Sequence, residues 1–306
     1  MSSAATNLMS LGQIVESKQL SGECIDWFVS QEKWLEAAGL AGPFLSMLIT
    51  TGELASVFSI IPRLSDCVIE SGDQVMEAMA SNFLAYALFL NGKEAEARVL
   101  FEAADKVLLN HIPETPISFP TVSSYYCKFL LDIGEPLNAL SRCVTTFAWR
   151  ARSSWQVSID TTSLIASDMM VLALVFLEMG DFVNSRLYMD RQIELFKHAD
   201  EWLYLPTGLN YRARFFTKTK EYDLAEKDLE AALSISLRTG ALFEQWETYL
   251  SYAKIYFEKK EFEKSLQYLD KALGLPGMHM YKFRDAEIAN LKNAISTSMT
   301  DQQSGN

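Results

Sequence analysis

The chain has 306 residues, 49% hydrophobic and 22% charged, a composition that supports a packed protein and excludes a disordered one. Its 39 acidic and 27 basic residues leave a net charge of −12, which repels phosphate backbones and argues against nucleic acid as a partner. Four cysteines (Cys24, Cys67, Cys127 and Cys143) sit among apolar neighbours without CxxC spacing, the pattern of free, buried thiols in a reducing cytoplasm.

Residues 1–33 are expected to form capping helices, and their first stretch lacks the basic run followed by an apolar run of a secretory signal. From 34 to 276 one arrangement recurs around a turn residue: Gly52, Gly92, Gly134, Gly180, Lys220 and Lys260, spaced by 40, 42, 46, 40 and 40. Seven residues before the anchor stand Leu45, Ala85, Cys127, Ala173, Ala213 and Ala253; four before, Leu48, Leu88, Leu130, Phe176, Phe216 and Tyr256. Five after stand Val57, Ala97, Ala139, Ser185, Ala225 and Ser265; nine after, Ile61, Phe101, Cys143, Met189, Leu229 and Leu269. Two segments interrupt the pattern: a proline-bearing loop at 110–120, and the stretch 150–160 that accounts for the longest spacing. Residues 277–297 read as a closing helix and 298–306 as a disordered polar tail. No apolar run is long enough to span a membrane.

Offsets of three, four and seven place residues on one helix face, so each anchor marks the turn of a helix pair. Small residues at two points allow the paired helices to approach, and the large residues beside them fill the remaining space. These residues resemble the tetratricopeptide signature, most clearly in GLNYRARFFTKTKEYDLAEKDLEAALSIS and TYLSYAKIYFEKKEFEKSLQYLDKALGLP. The resemblance implies an all-α, right-handed superhelical solenoid of about six helix pairs with terminal capping helices. The stretch 204–291 is similar to the C-terminal repeat arrays of bacterial STAND-class signal-transducing ATPases, arrays that sense a ligand or partner, although no nucleotide-binding domain accompanies it here.

No chemistry-bearing motif stands out. The Walker pattern, a GxSxG elbow and HExxH are absent, and His111, His198 and His279 are far apart, so no catalytic residue, metal or cofactor is expected. In a tetratricopeptide stack the first helix of each pair lines a concave groove, and positions ten, six and two before the anchor share its face. Position six before gives Ser46, Tyr86, Lys128, Leu174, Arg214 and Lys254, with three cations in an acidic chain; position ten before adds Asn82, Ser124 and Asn210. Asn82, Tyr86, Ser124, Lys128, Asn210, Arg214 and Lys254 are therefore the candidate partner-binding residues, suited to an acidic peptide segment. The competing reading leaves Lys128 and Lys254 solvated, or paired one turn on with Asp132 and Glu258. Five of the six tryptophans are assigned to repeat junctions, while Trp155, flanked by Arg150, Arg152 and Ser154, is the candidate second contact. The expected function is a non-catalytic scaffold or adaptor; the alternative is a ligand- or peptide-sensing regulatory protein.

Overall fold

The computed structural model describes residues 2–111, 120–152 and 161–304. The described residues are helical with no strand, and successive helices pack as antiparallel pairs. An entry pair, α1 (Ser2–Ser10) and α2 (Ile14–Ser30), leads into α3 (Trp34–Thr50) with α4 (Leu54–Ser71), and α5 (Gln74–Leu90) with α6 (Glu94–His111). Next come α7 (Pro120–Asp132) with α8 (Pro136–Arg152), and α9 (Thr161–Glu178) with α10 (Phe182–His198). The array ends with α11 (Leu205–Lys218) and α12 (Tyr222–Thr239), α13 (Leu242–Glu258) and α14 (Phe262–Leu273), and a last helix α15 (Asp285–Ser304). Proline opens α7 and α8, where its missing N–H costs no helical bond.

All six anchors lie in the left-handed backbone region, from φ +62° at Lys260 to +82° at Gly92. At each, the anchor amide bonds back three residues and the next amide five, as when Gly52 N–H donates to Ile49 and Glu53 N–H to Leu48. Lys220 and Lys260 hold this conformation without being glycine, at a cost of roughly 1–2 kcal/mol each. The small-residue offsets are the crossing points. Ala85, Ala173, Ala213 and Ala253 are fully buried against Ala97, Ser185, Ala225 and Ser265, and the Ser185 and Ser265 hydroxyls donate to the carbonyls of Ala173 and Ala253 at 2.9 and 2.7 Å.

The N-terminal helices, expected as a cap, are themselves built as a repeat unit. Gly12 is a left-handed anchor, Ala5 and Ser17 occupy the two small positions, and the Ser17 hydroxyl donates to Ala5 O at 2.6 Å. At the other end a correction is needed. Helix α15 continues to Ser304, so residues from 298 that were expected to form a disordered tail extend a helix whose Ile295 is fully buried. Trp155, and most of the segments 110–120 and 150–160, lie outside the described residues.

The stack winds far enough for its two ends to meet. The Tyr281 hydroxyl donates to Ile49 O at 2.6 Å, and the Asn91 side-chain amide donates to Met280 O at 2.9 Å. Phe283 packs against Phe89 and Trp246 with ring centres 5.2 and 6.0 Å apart. A Cβ at Gly277 would lie 2.4 Å from Gly52 O, so the backbones touch there. Residues 278–284 thus form a seam between the last unit and the turns that follow α3 and α5. Gly180 has a similar φ of +78° but open space around it. Gly180→Ala is expected to cost only the left-handed strain, about 1–2 kcal/mol, and Gly277→Ala distinctly more because it also parts the seam. Urea midpoints of the two variants check this; equal losses would mean the seam contributes nothing.

Candidate functional site

Closure turns the concave groove into an interior lined by α5, α7, α11, α13 and the seam. Tyr125 is its aromatic centre, with its ring 4.6 Å from Tyr86 and 5.3 Å from Phe83, and its hydroxyl 3.1 Å from that of Ser46. Lys128, one turn further along α7, lies 5.9 Å from the Tyr125 ring and 5.8 Å from the Tyr211 ring, within reach of a cation–π contact with each. Across from it, the carboxylate of Glu244 accepts from Thr207 at 2.8 Å and Asn210 at 3.2 Å, and Asn210 accepts from Thr248 at 2.9 Å.

The other concave ions are paired. Arg214 meets Glu178 at 2.6 Å, Lys254 meets Glu287 at 2.5 Å, and Arg284 binds both oxygens of Glu247 at 2.7 and 3.1 Å while reaching Glu287 at 2.8 Å. Lys128 and Asp132 have no ion pair or hydrogen bond through their charged groups among the described residues. Asp132 is exposed and Lys128 half-buried. Both are open to water yet surrounded by protein, so burial pushes Lys128 down and Asp132 up from their ordinary ranges. Burial also raises Glu244, to about 7, against the pull of Thr207, Lys128 and Asn210. Glu287 goes the other way: despite burial, Lys254 and Arg284 hold it down at about 2.

The predicted residues therefore divide. Tyr86 and Lys128 meet in the interior, and Asn210 joins them through Glu244. Arg214 and Lys254 reach the same face, but carboxylates from neighbouring units satisfy them, and the partner of Lys254 is Glu287, not Glu258. Asn82 is fully buried and donates to Ala78 O on its own helix at 2.8 Å. Ser124 is half-buried on α7. Sequence reasoning missed Tyr125, Tyr211, Glu244, Glu247 and Arg284, and it named Asp132 only as an ion-pair partner of Lys128, a pair absent among the described residues. Asp132 and Glu178 stand two before their anchors, on the face already identified, so that position carried a readable signal. Arg284 carried none, because the seam delivers it from outside the repeats.

Among the described residues no helix is long and apolar enough to cross a membrane, and no group of three or more His, Cys, Asp or Glu side chains is placed to hold a metal. A crevice lined by Leu45, Ile61, Leu64, Val68 and Leu84 shares no residue with the concave cluster.

This geometry is that of stacked tetratricopeptide-type helix pairs, and residues 247–276 match the tetratricopeptide repeat family model. No curated relative matches the chain. Its fold is similar to the crystal structure of a Rap protein complexed with competence and sporulation factor, at TM-score 0.57 and 9% identity over 90% of this chain and 81% of that one. It is also similar to a signal transduction ATPase with numerous domains (STAND) that carries a tetratricopeptide repeat sensor, from Pyrococcus horikoshii, at TM-score 0.55 and 15% identity. That match covers 92% of this chain and 43% of the other. At these identities the likeness concerns the fold.

Glu244 makes the site's electrostatics measurable. The folded chain keeps the Glu244 proton after the unfolded chain loses it, so this group's contribution falls as pH rises from about 4.5 to about 7 and is level above. Glu244→Gln, which keeps the shape, is expected to remove that decline, a difference on the order of a few kcal/mol across the window. Denaturant titrations of both proteins between these pH values check it; parallel curves would mean Glu244 titrates normally.

Proposed function

We propose that the chain is a non-catalytic binding protein that holds a segment of a partner protein or peptide against the concave face of α5, α7 and α11. The observation that carries this reading is the tyrosine-lined concave face on which Lys128 and Asp132, among the described residues, make no ion pair while Arg214, Lys254 and Arg284 are paired. Tyrosines supply contact area at small entropic cost, and a desolvated charge without a partner is stabilised when an occupant supplies one. The similar Rap structure is a complex with competence and sporulation factor, and the similar STAND protein carries its repeats as a sensor; both support a binding role. Pairing of Arg214 and Lys254 takes two cations out of the expected basic row, so a partner of mixed charge suits the face better than a purely acidic one. The four free, buried thiols suit a reducing compartment such as the cytoplasm.

A sensing role is the second reading, and the seam favours it. Contacts from 278–284 to Ile49, Phe89 and Asn91 join the two ends of the array, so an occupant fitting only the closed turn strengthens those contacts by mass action.

Partner capture from host lysate tests the binding role. Lys128→Glu is expected to weaken retention at least about tenfold, as for a buried interface residue. Val183→Ser, an 81% exposed position on the second helix of its pair, is expected to leave retention unchanged. The same partners held equally by wild type and Lys128→Glu would sink the concave-face reading.

A further inference from the structure

Lys128 and Asp132 lie four residues apart on α7, a rise of about 6 Å along the helix. They do not satisfy each other: among the described residues no ion pair joins them, Lys128 lies against the rings of Tyr125 and Tyr211, and Asp132 feels the charge of Arg284 without an ion pair or hydrogen bond to it. The charges that face them are spoken for. Arg284, which faces Asp132, is bound to Glu247 and Glu287, Glu244 to Thr207 and Asn210, and Arg214 to Glu178. The hydroxyls of Tyr86 and Tyr211 also make no hydrogen bond among the described residues.

In an extended peptide, side chains two residues apart emerge on the same edge about 6.6–6.8 Å from each other. That repeat nearly matches the four-residue rise of α7. Resting on the concave-face reading above, we infer that the site recognises an extended segment with an acidic and a basic side chain two residues apart, the acid on Lys128 and the base on Asp132. The tyrosine hydroxyls then face the segment's backbone, where they can donate to its carbonyls. Lys128 is half-buried among ring faces and Asp132 is exposed on the same helix face, and a segment with the complementary pair supplies a partner at both positions. A segment with only one charge leaves the other group unmatched, so the pair works by discrimination as well as attraction.

The test pans a phage-displayed library of random heptapeptides on wild type and on the charge-swapped Lys128→Asp/Asp132→Lys variant, with helicity checked by circular dichroism. Wild type is expected to enrich one order of the acid–x–base motif, and the swapped protein the reverse order. Changing either charged residue of a selected peptide to glutamine is expected to lower its retention on wild type about tenfold or more, a result that does not depend on the variant folding. Peptides enriched without such a pair, yet lost on Lys128→Glu, overturn the motif while leaving the concave face as the binding site. No enrichment on wild type over the bare support overturns both.

Discussion

Two helices approach closely only where neither presents a long side chain at the crossing, and the pairs from α5 to α14, with α1 and α2, meet at such a point, while α3 and α4 carry Leu45 and Val57 there. An alanine or other small residue before the turn faces an alanine or serine after it, with side chains between 0% and 1% exposed from Ala85 to Ala253. Remove that closeness and the large residues on either side, Phe101, Met189, Leu229 and Leu269, lose the walls they pack against. The pair still leaves an apolar stripe that only another pair can cover, so close approach within a unit makes stacking between units obligatory. Ion pairs then help set the register of the stack. Arg98–Glu135, Arg142–Asp105, Arg186–Glu221 and Arg63–Asp26 each link neighbouring units across 35 to 37 residues. Most are exposed enough to contribute little, about 0–1 kcal/mol each, and Arg142, with 8% of its side chain exposed, is the one placed to matter more.

A small rotation repeated at each stacking step brings the chain round on itself. The seam is the consequence, and it changes the electrostatics of everything inside. A concave face open to bulk water would leave its lysines and carboxylates near their ordinary behaviour. Protein around this face costs these charges part of their hydration, and the direction of the shifts follows: Lys128 down, Asp132 and Glu244 up. Arg284 belongs to this interior because the seam carries it there, and its fork on Glu247 ties the closing segment to the α13 wall of the site.

How far this was legible depends on whether a feature is local or cumulative. The helix pairs were legible because periodicity is local: Ala213, Phe216, Ala225 and Leu229 announce one unit within seventeen residues. The unit around Gly12 carried the same local signal in Ala5 and Ser17, which goes unnoticed when the ends are read as caps. The face holding Tyr86, Lys128, Arg214 and Lys254 was legible from spacing, as was the Arg214–Glu178 pair in principle, since the two stand 36 residues apart in adjoining units. Asn82 shows the limit of that method, because position along the helix gives the face but not the depth. The meeting of Ile49 with Tyr281 was not legible at all. It depends on the sum of many small rotations, and no single residue encodes that sum.

On the binding role proposed above, the charge pairing of the concave face bears on specificity more than on strength. Three free cations in a row would attract any polyanion, and a protein of net charge −12 that needed to avoid its own acidic neighbours would gain nothing from such a surface. Committing Arg214 to Glu178 and Lys254 to Glu287 silences that general attraction without removing the side chains, whose stems still cover the helix face. What remains is one cation and one carboxylate of fixed separation, with aromatic rings holding the cation in place. On the proposed reading, an occupant without the complementary pair leaves one of these charges unmatched, which lowers its affinity relative to one that carries both. The seam sets how much protein surrounds this face, so on the reading proposed above the seam and the candidate site, distant in sequence, act together.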